Sequence, residues 1–331
     1  MPTAQQPINS GFRAANTAED VIQGINLTGK TAIVTGGYAG LGLETARVLH
    51  LAGAHVIVPA RDIPKARKAL ADFPGIEIEA LDLLDPASVN AFAERFLAKG
   101  LPLHILVNSA GIMANPLTRD ARGYESQFAT NHLGHYQLVT RLWPALKSAN
   151  GARVVSVSSA GHRFGPVDFD DPNFEHREYT PWAGYGQSKT ANILFARELD
   201  WRGEAFGIRA FSVHPGTILD TDLKKFLTED QIRNSGAVDE NGETILDPMR
   251  QLKTVQQGAS TSVWCAVAES LNGLGGVYCE NNNISRVVSP EKMAERKTDE
   301  QGQYGVLAYA VDPANADRLW TLSEQLTGVS L

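Results

Sequence analysis

The sequence predicts an α/β protein in which a doubly wound parallel sheet of about seven strands carries helices on both faces. Two observations support this fold class. Short apolar runs alternate with helix-length segments along most of the chain, and glycine, asparagine, serine or proline follows the end of several runs. Such alternation gives right-handed crossovers between parallel strands. The ends of the strands therefore meet at one edge of the sheet, where ligands bind in folds of this class.

The composition is that of an ordinary globular protein. Of the 331 residues, 43% are hydrophobic and 20% are charged, which allows a large core. The net charge of −7 argues against nucleic acid or an anionic membrane as the main partner. No apolar run approaches the about 20 residues that a membrane-spanning helix needs. Cys265 and Cys279 match no zinc pattern, so we predict free thiols, no metal site and a cytoplasmic protein.

Residues 1–26 are interpreted as a polar N-terminal extension with a mobile start and a short helix at 18–23, without the apolar core of a secretory signal. Residues 27–331 are predicted to form a single domain. Strands are expected at 30–35, 55–60, 76–81, 103–108, 153–158, 209–214 and 276–280. Helices are expected at 43–52, 64–71, 87–98, 124–146, 185–201, 257–268 and 314–326. Between them lie an aromatic loop (160–184), a polar segment interpreted as a lid (217–252) and an irregular C-terminal extension (282–313).

The first strand and the first long helix are joined by Thr35-Gly-Gly-Tyr-Ala-Gly-Leu-Gly42. Small residues let backbone N–H groups approach a pyrophosphate, and the N-terminus of the following helix adds positive potential. Strand, glycine loop and helix together predict a Rossmann-type dinucleotide-binding unit, with a tight structural turn as the alternative. The expected cofactor contacts in this loop are Gly36, Tyr38, Gly40, Leu41 and Gly42.

The end of the second strand predicts which dinucleotide binds. At this place an acidic residue binds both ribose hydroxyls, whereas an arginine suits a 2′-phosphate. Ala60 and Arg61 occupy these positions, with no carboxylate at the first of them. We therefore predict NADP(H) over NAD(H). An inward-turned Asp62 would weaken that preference, and a solvated charge at a strand end is the alternative for Arg61.

Later strands also end in residues suited to a cofactor. Asp82, next to Leu83, is expected either to accept a hydrogen bond from the adenine or to cap the following helix. The fourth strand ends in small residues that leave room at the sheet edge. The expected contacts there are Asn108, Ala110 and Gly111.

Tyr185 and Lys189 lie four positions apart in a predicted helix, so their side chains share one helix face. Free tyrosine has a pKa near ~10 and is a poor base at neutral pH. A fixed cation nearby favours the phenolate and would make the phenol useful for proton transfer. The pair therefore indicates an acid/base tyrosine with an electrostatic helper. The alternative is an amphipathic helix with a half-buried tyrosine and a solvated lysine.

Taken together, these motifs resemble the short-chain dehydrogenase/reductase family over residues 26–327. The matching positions are Thr35, Gly36, Gly40, Gly42, the run from Asn108 to Gly111, Asn131, Ser159, Tyr185, Lys189, Pro215 and Gly216. Within the family the chain is most similar to the retinol-dehydrogenase-like branch, which includes the catalytic domain of the WW-domain-containing oxidoreductase. The segment Thr130-Asn-His-Leu-Gly-His-Tyr136 supports that placement.

The resemblance implies catalytic roles for four residues. Tyr185 would protonate a nascent alkoxide or deprotonate an alcohol. Lys189 would lower the pKa of that phenol and hydrogen-bond the nicotinamide ribose, while Ser159 would donate to the substrate oxygen. Asn131 would hold a water in the proton path behind Lys189. Ser158 is the rival to Ser159, and the family pattern takes the second serine of the pair.

The resemblance also implies that the segment after the sixth strand seats the carboxamide of the cofactor. Its expected contacts are Pro215, Gly216, Thr217 and Ile218. The segment is one residue longer than the usual Pro-Gly-x-x-x-Thr pattern. Thr217 and Thr221 are therefore both candidates for a contact with the cofactor.

The implied function is that of an NADP(H)-dependent carbonyl reductase or alcohol dehydrogenase. The aromatic residues of loop 160–184 suggest an apolar small-molecule substrate. Two alternatives stay open, namely a catalytically silent NADP(H)-binding regulator or scaffold and an NADPH-dependent double-bond reductase. Members of the family often form dimers or tetramers, and the extended C-terminal segment could block a usual contact, so a monomer and a homo-oligomer both stay open.

Overall fold

The computed structural model describes residues 3–331, and within that range eight strands form one sheet while two short strands form another. The strands are β1 (Thr31–Val34), β2 (His55–Ala60), β3 (Glu77–Ala80), β4 (Ile105–Asn108), β5 (Arg153–Val157), β6 (Arg209–His214), β7 (Val277–Glu280), β8 (Asn283–Ile284), β9 (Val287–Val288) and β10 (Val306–Leu307). The large sheet has the order β3-β2-β1-β4-β5-β6-β7-β8. Strands β1 to β7 pair in parallel, which confirms the predicted fold class.

The helices are α1 (Ala18–Ile22), α2 (Gly40–Leu51), α3 (Ile63–Ala69), α4 (Pro86–Ala98), α5 (Ser126–Phe128), α6 (Gly134–Arg141), α7 (Trp143–Ser148), α8 (Pro181–Gly203), α9 (Glu229–Asn234), α10 (Val255–Val267), α11 (Pro290–Ala294) and α12 (Pro313–Thr327). One apolar core lies between the sheet and α4, α6, α8 and α12, and a second lies between the sheet and α1, α2 and α10. Within residues 3–331, none of the helices has the length and apolar character needed to cross a lipid bilayer.

The sheet reverses its strand order next to β1, and this reversal positions the site. Ile33 of β1 lies beside Ile57 of β2 on one side and Leu106 of β4 on the other. The connections from β1 and from β4 therefore leave in opposite directions and open a crevice at the carboxyl ends of the strands. The glycine loop after β1 and the segments that follow β2, β3 and β4 border that crevice.

An eighth strand extends the sheet beyond the predicted seven. Asn281 and Asn282 have φ angles of 50° and 58°, so the chain turns tightly after β7 and returns as β8. Two consecutive residues with positive φ are typical of a two-residue hairpin turn, and asparagine adopts this conformation readily. Residues 282–313, which the sequence suggested were irregular, contain β8, β9, α11 and β10.

The single helix expected at 124–146 is wrong. The chain instead forms α5, a π-helical turn at Ala129–Leu133, α6 and then α7. Pro144 lies in the first turn of α7, where its missing N–H costs little and its ring favours a new helix start. The π turn contains Asn131, and such turns often occur at functional sites.

The N-terminal extension is anchored from Thr3 onward, whereas the sequence suggested a mobile start; residues 1 and 2, part of that expectation, lie outside the described range. The side-chain amide of Gln5 donates to the carbonyls of Tyr278 and Ser285 at 2.8 and 2.7 Å. Its Oε1 accepts the N–H of Tyr278 at 3.0 Å. Thr3 accepts the N–H of Gly275 in the same region. The extension thus satisfies backbone groups in the C-terminal part of the sheet.

Candidate active site

The four predicted catalytic side chains come together near the carboxyl ends of β4 and β5. A Cβ placed on Gly161 would lie 2.6 Å from Cε1 of Tyr185 and 3.2 Å from Oγ of Ser159. A Cβ placed on Gly111 would lie 3.0 Å from Oδ1 of Asn131 and 3.6 Å from Nζ of Lys189. Two glycines therefore provide the space in which these four side chains approach one another.

Helix α8, which carries Tyr185 and Lys189, begins earlier in the chain than the sequence suggested. It begins at Pro181, where Thr180 accepts the N–H of Ala183 at 3.1 Å and caps the first turn. Tyr185 therefore lies inside the second turn rather than at the helix start. Both side chains are buried, with exposed fractions of 4% for Tyr185 and 5% for Lys189.

Ser159 is oriented by its own backbone turn. Its Oγ accepts the N–H of Gly161 at 2.9 Å, so its hydroxyl hydrogen stays available for donation. The hydroxyl also lies near the phenol of Tyr185 and acts to lower the pKa of that phenol. The rival Ser158 is engaged elsewhere, because its hydroxyl donates to the carbonyl of Lys189 at 2.7 Å. Of the two serines, Ser159 is the one whose hydroxyl lies near the phenol of Tyr185.

The electrostatics of the pair differ from the expectation. Burial raises the pKa of Tyr185 to about 12, and the nearby hydroxyl of Ser159 offsets only part of that effect. The Nζ of Lys189 donates to the carbonyl of Val157 at 3.0 Å and lies 5.6 Å from the centre of the phenol ring. Burial also lowers the pKa of Lys189 to about 8. A lysine that is partly neutral near pH 8 is a weaker electrostatic helper than a fixed cation.

Asn131 is held by its neighbours on both sides of its amide. Its Oδ1 accepts the N–H of Ile112 at 2.9 Å, and its Nδ2 donates to the carbonyl of Ile112 and to the hydroxyl of Ser188. Ser188 in turn donates to the carbonyl of Tyr185 at 2.8 Å. The amide thus ties the segment after β4 to the helix that carries Tyr185 and Lys189.

His135 is a neighbour of the site that sequence reasoning missed. Its Nδ1 lies 3.0 Å from the carbonyl of Asn131, and its Nε2 lies 2.9 Å from the hydroxyl of Thr35. Thr35 also accepts the N–H groups of Ser109 and Ala110. Since a carbonyl only accepts, Nδ1 carries the hydrogen and Thr35 donates to Nε2. The position of His135, four residues after Asn131 on a helix, was the available signal.

A cleft of about 460 Å³ lies beside these residues and contains much of the predicted cofactor site. Seven predicted contacts line it, namely Gly36, Tyr38, Arg61, Asp82, Leu83, Ala110 and Gly111. The sequence analysis missed other lining residues, including Pro59, Ile112, Asn115, Thr130, Lys225 and Phe226. Lys225 and Phe226 belong to segment 217–252, in which no sequence pattern shows which residues face the cleft.

The glycine loop is shaped to admit a phosphate group. A Cβ on Gly42 would lie 2.4 Å from the carbonyl oxygen of Gly36, so the loop closes only without that side chain. The 12-residue helix α2 starts next to the loop, and its N-cap Ala39 makes no side-chain capping bond. The free N–H groups at this end suit an anion. Leu41 packs its side chain against Gly258, so any contact it makes with a cofactor would come from its backbone.

Asn108 gives independent support for a bound group. It is 1% exposed, yet within residues 3–331 neither its Oδ1 nor its Nδ2 has a hydrogen-bond partner. Unpaired buried polar atoms are uncommon in native proteins and indicate a missing partner. Asn108 ends β4 beside the cleft, so the residues present fit a dinucleotide cofactor.

At the end of β2, Asp62 is turned away from the cleft. Its carboxylate caps α3 by accepting the N–H of Lys65 at 2.9 Å. Arg61 is exposed and lines the cleft, so its guanidinium faces no competition from Asp62.

Asp82 does not cap the helix that follows it, which was one of its two expected roles. Its carboxylate accepts the N–H of Leu84 at 3.0 Å, and it is Asp85 that caps α4 by accepting the N–H of Ala87. Asp82 lines the cleft instead, so the hydrogen bond to an adenine stays a prediction.

The segment after β6 runs beside the glycine loop. The N–H of Thr217 donates to the carbonyl of Gln251, and its own carbonyl accepts the N–H of Lys253. The side chain of Thr221, with Cγ2 3.1 Å from where a Cβ on Gly40 would stand, is the threonine that reaches the loop. Pro215 and Gly216 connect β6 to this segment, and the side chain of Ile218 packs against Gly258.

Comparison with known proteins agrees with this architecture. Residues 30–232 match the family model of the short chain dehydrogenases. A probable oxidoreductase of Streptomyces lividans is 44% identical over 302 residues, covering 89% of this chain and 97% of that protein. Retinol dehydrogenase 12 of Mus musculus is 36% identical, covering 92% of this chain and 88% of that protein. The WW domain-containing oxidoreductase of Gallus gallus is 38% identical, covering 98% of this chain and 74% of that protein.

A solved structure shows the same fold. The crystal structure of a protein from Mycobacterium paratuberculosis has 32% sequence identity and a TM-score of 0.71, covering 94% of this chain and 97% of that one. The family match spans more than half of the chain, and the relatives above include both members of the branch that the sequence motifs indicated. The chain is therefore an oxidoreductase of the short-chain dehydrogenase/reductase family, in the branch that contains retinol dehydrogenase 12 and the WW domain-containing oxidoreductase.

Proposed function

We propose that the protein interconverts a carbonyl and an alcohol on a small molecule, with NADP(H) as cofactor. The observation that carries this proposal is the placement of the Ser159 hydroxyl near the phenol of Tyr185, next to Lys189 and beside the cofactor cleft. NADP(H), when bound, supplies or accepts the hydride. The chain's own residues then have to bind the oxygen of the substrate and move one proton.

Ser159 and Tyr185 divide this work. The Ser159 hydroxyl has a free hydrogen because its oxygen already accepts from Gly161, so it can donate to a carbonyl oxygen. Tyr185 is protonated at neutral pH, since its pKa is about 12, and is ready to act as the acid in the reductive direction. Lys189 lies between the phenol and the Gly111 side of the cleft, where its ammonium can stabilise a developing phenolate.

The proposed preference for NADP(H) rests on Arg61. Its guanidinium lies at the cleft, at the place where a 2′-phosphate enters this fold, and the nearby carboxylate of Asp62 is occupied as a helix cap. The proposed contacts of the remaining predicted residues are through backbone groups of the glycine loop and of residues 215–218. Asn108, with both amide atoms unpaired within the described range 3–331, is proposed to bind a polar group of the cofactor.

An apolar substrate body is supported by the rings that flank Tyr185. Trp182 packs edge-on against Tyr185 with ring centres 6.0 Å apart, and Phe164 lies 5.1 Å from Trp182. Both aromatic residues are partly exposed, so they offer apolar surface next to the phenol. The relative named retinol dehydrogenase 12 is described by its name as acting on an alcohol of this kind.

The test is a panel of ketones, quinones, aldehydes and enones in which NADPH oxidation is followed by absorbance. Tyr185→Phe should abolish turnover of the best carbonyl substrate and leave NADPH affinity within about twofold, because the phenol acts in proton transfer. Tyr124→Phe is the control, since its hydroxyl donates to the distant carbonyl of Leu326. Unchanged turnover in Tyr185→Phe would refute the mechanism. NADPH binding without any turnover would favour a regulator or scaffold, and turnover of enones alone would favour a double-bond reductase.

A further inference from the structure

The backbone turn that carries Ser159 is held by a buried histidine. Ser159 precedes a 3₁₀ helix at Ala160–Phe164, and His162 is the central residue of that helix. Its side chain is completely buried, and Nδ1 lies 2.9 Å from the carbonyl of Ser159. A second buried histidine, His214, accepts the N–H of Ala160 at 3.1 Å. Both sides of the turn are thus fixed by imidazole rings.

The hydrogen-bond partners of His162 define its tautomer. The N–H of Leu307 donates to Nε2 at 3.2 Å, so Nε2 is an acceptor without a hydrogen. Nδ1 therefore carries the hydrogen and donates it to the carbonyl of Ser159. Burial lowers the pKa of His162 to about 4, which keeps this neutral form at neutral pH.

The other partner of His162 is the C-terminal segment Val306–Val311, which comprises β10 and the 3₁₀ turn after it. Leu307 lies 145 positions further along the chain. From the same segment, the hydroxyl of Tyr309 donates to the carbonyl of His162 at 2.6 Å. The segment thus forms hydrogen bonds with both the ring and the backbone carbonyl of His162. Through the ring it is linked to Ser159, the serine that lies near Tyr185.

We propose that His162 is a positioning residue of the reaction, which locks the Ser159 turn onto the C-terminal segment 306–311 so that the serine hydroxyl stays against Tyr185. This inference rests on the proposed function, because it assigns His162 a role in that chemistry. His162 does not touch the reacting groups itself. It acts through the backbone of Ser159, whose hydroxyl must be held within a fraction of an ångström for efficient transfer.

Three variants separate a positioning role from a purely structural one. His162→Phe keeps a ring but removes both side-chain hydrogen bonds. His162→Asn has a side-chain N–H that can replace the donor to Ser159 and loses the contact with Leu307. Tyr309→Phe removes the hydroxyl that donates a hydrogen bond to the backbone carbonyl of His162. We expect kcat to fall about 10- to 100-fold in His162→Phe and about threefold in Tyr309→Phe, with NADPH affinity within twofold. His162→Asn should retain kcat within about fivefold.

Hydrogen exchange measured by mass spectrometry on the peptide that covers residues 157–166 supplies a readout without turnover. This peptide should exchange faster in His162→Phe and Tyr309→Phe, and at nearly the wild-type rate in His162→Asn. If the wild type turns over no carbonyl, the proposed function fails, and the exchange data still decide whether His162 holds the turn. The inference is overturned if His162→Phe keeps kcat within threefold, or if the peptide exchanges equally in all variants. If His162→Phe fails to fold, Tyr309→Phe is compared with the wild type instead. An unchanged exchange rate of the peptide in Tyr309→Phe then overturns the inference.

Discussion

The replacement Gly161→Ala is the most direct perturbation of the site that leaves every catalytic side chain in place. The added Cβ would lie 2.6 Å from Cε1 and 3.0 Å from Cδ1 of Tyr185. Carbon atoms in contact normally stay about 3.5–4.0 Å apart, so the phenol ring has to move by about 1 Å. The ring is buried and cannot yield freely toward solvent. A displacement of that size at a reacting group costs on the order of 100-fold in rate.

The assay is NADPH oxidation with the best carbonyl of the panel, together with NADPH affinity by fluorescence titration and thermal unfolding. Gly165→Ala is the matched control, because a Cβ on this glycine of the same turn region meets nothing within 4 Å. We expect kcat to fall about 100-fold in Gly161→Ala, with NADPH affinity within twofold, and to stay near wild type in Gly165→Ala. A folded Gly161→Ala protein with kcat within threefold of wild type would contradict the reasoning that Tyr185 acts from this position.

Three further predictions concern cofactor choice, stability and pH. Arg61→Ala should weaken NADPH binding about 10- to 100-fold and NADH binding less than twofold, since a charge-assisted bond to a 2′-phosphate is lost; equal losses in isothermal titration would show that Arg61 does not read the phosphate. Gly275→Ala should lower the free energy of urea unfolding by about 3 kcal/mol or more, because its Cβ would lie 1.9 Å from Oδ1 of Asp200, which pairs with Arg209; a loss below about 1 kcal/mol would mean that the ion pair shifts without cost. Burial lowers the pKa of His132 to about 3, below the unfolded value near 6.5, so the stability that its neutral form contributes is present above pH 6.5 and is lost on acidification. The free energy of urea unfolding of the wild type relative to His132→Phe should therefore fall by about 2 kcal/mol between pH 6.5 and pH 5. A difference that stays constant over this range would contradict the expectation.

The sequence was sufficient to predict elements whose signals are local. The glycine loop after β1 is identified by its composition, and the spacing of Tyr185 and Lys189 identifies a shared helix face. The seven parallel strands were predicted to within one or two residues, because most of them are buried, continuous apolar runs.

Features that depend on contacts distant in sequence could not be predicted in this way. The break between α6 and α7 is an exception, because Pro144 marks it locally and was overlooked within a periodic apolar pattern. The raised pKa of Tyr185 follows from its burial in the folded chain, which no local pattern shows. His135 and His162 are ordinary helix residues in the sequence, and only the folded chain places their nitrogens against Thr35 and Leu307.

The hydrogen bonds of Gln5 bear on how the chain is made. Gln5 is synthesised well before its partners Tyr278 and Ser285, which follow 273 and 280 positions later. The segment around Gln5 must therefore wait, without these partners, until residues 278 and 285 have been synthesised. Closing so long a loop is entropically costly and slow, so the hydrogen bonds of Gln5 with Tyr278 and Ser285 are expected to form late in folding. A nascent chain that ends before residue 278 would leave the segment around Gln5 without these partners.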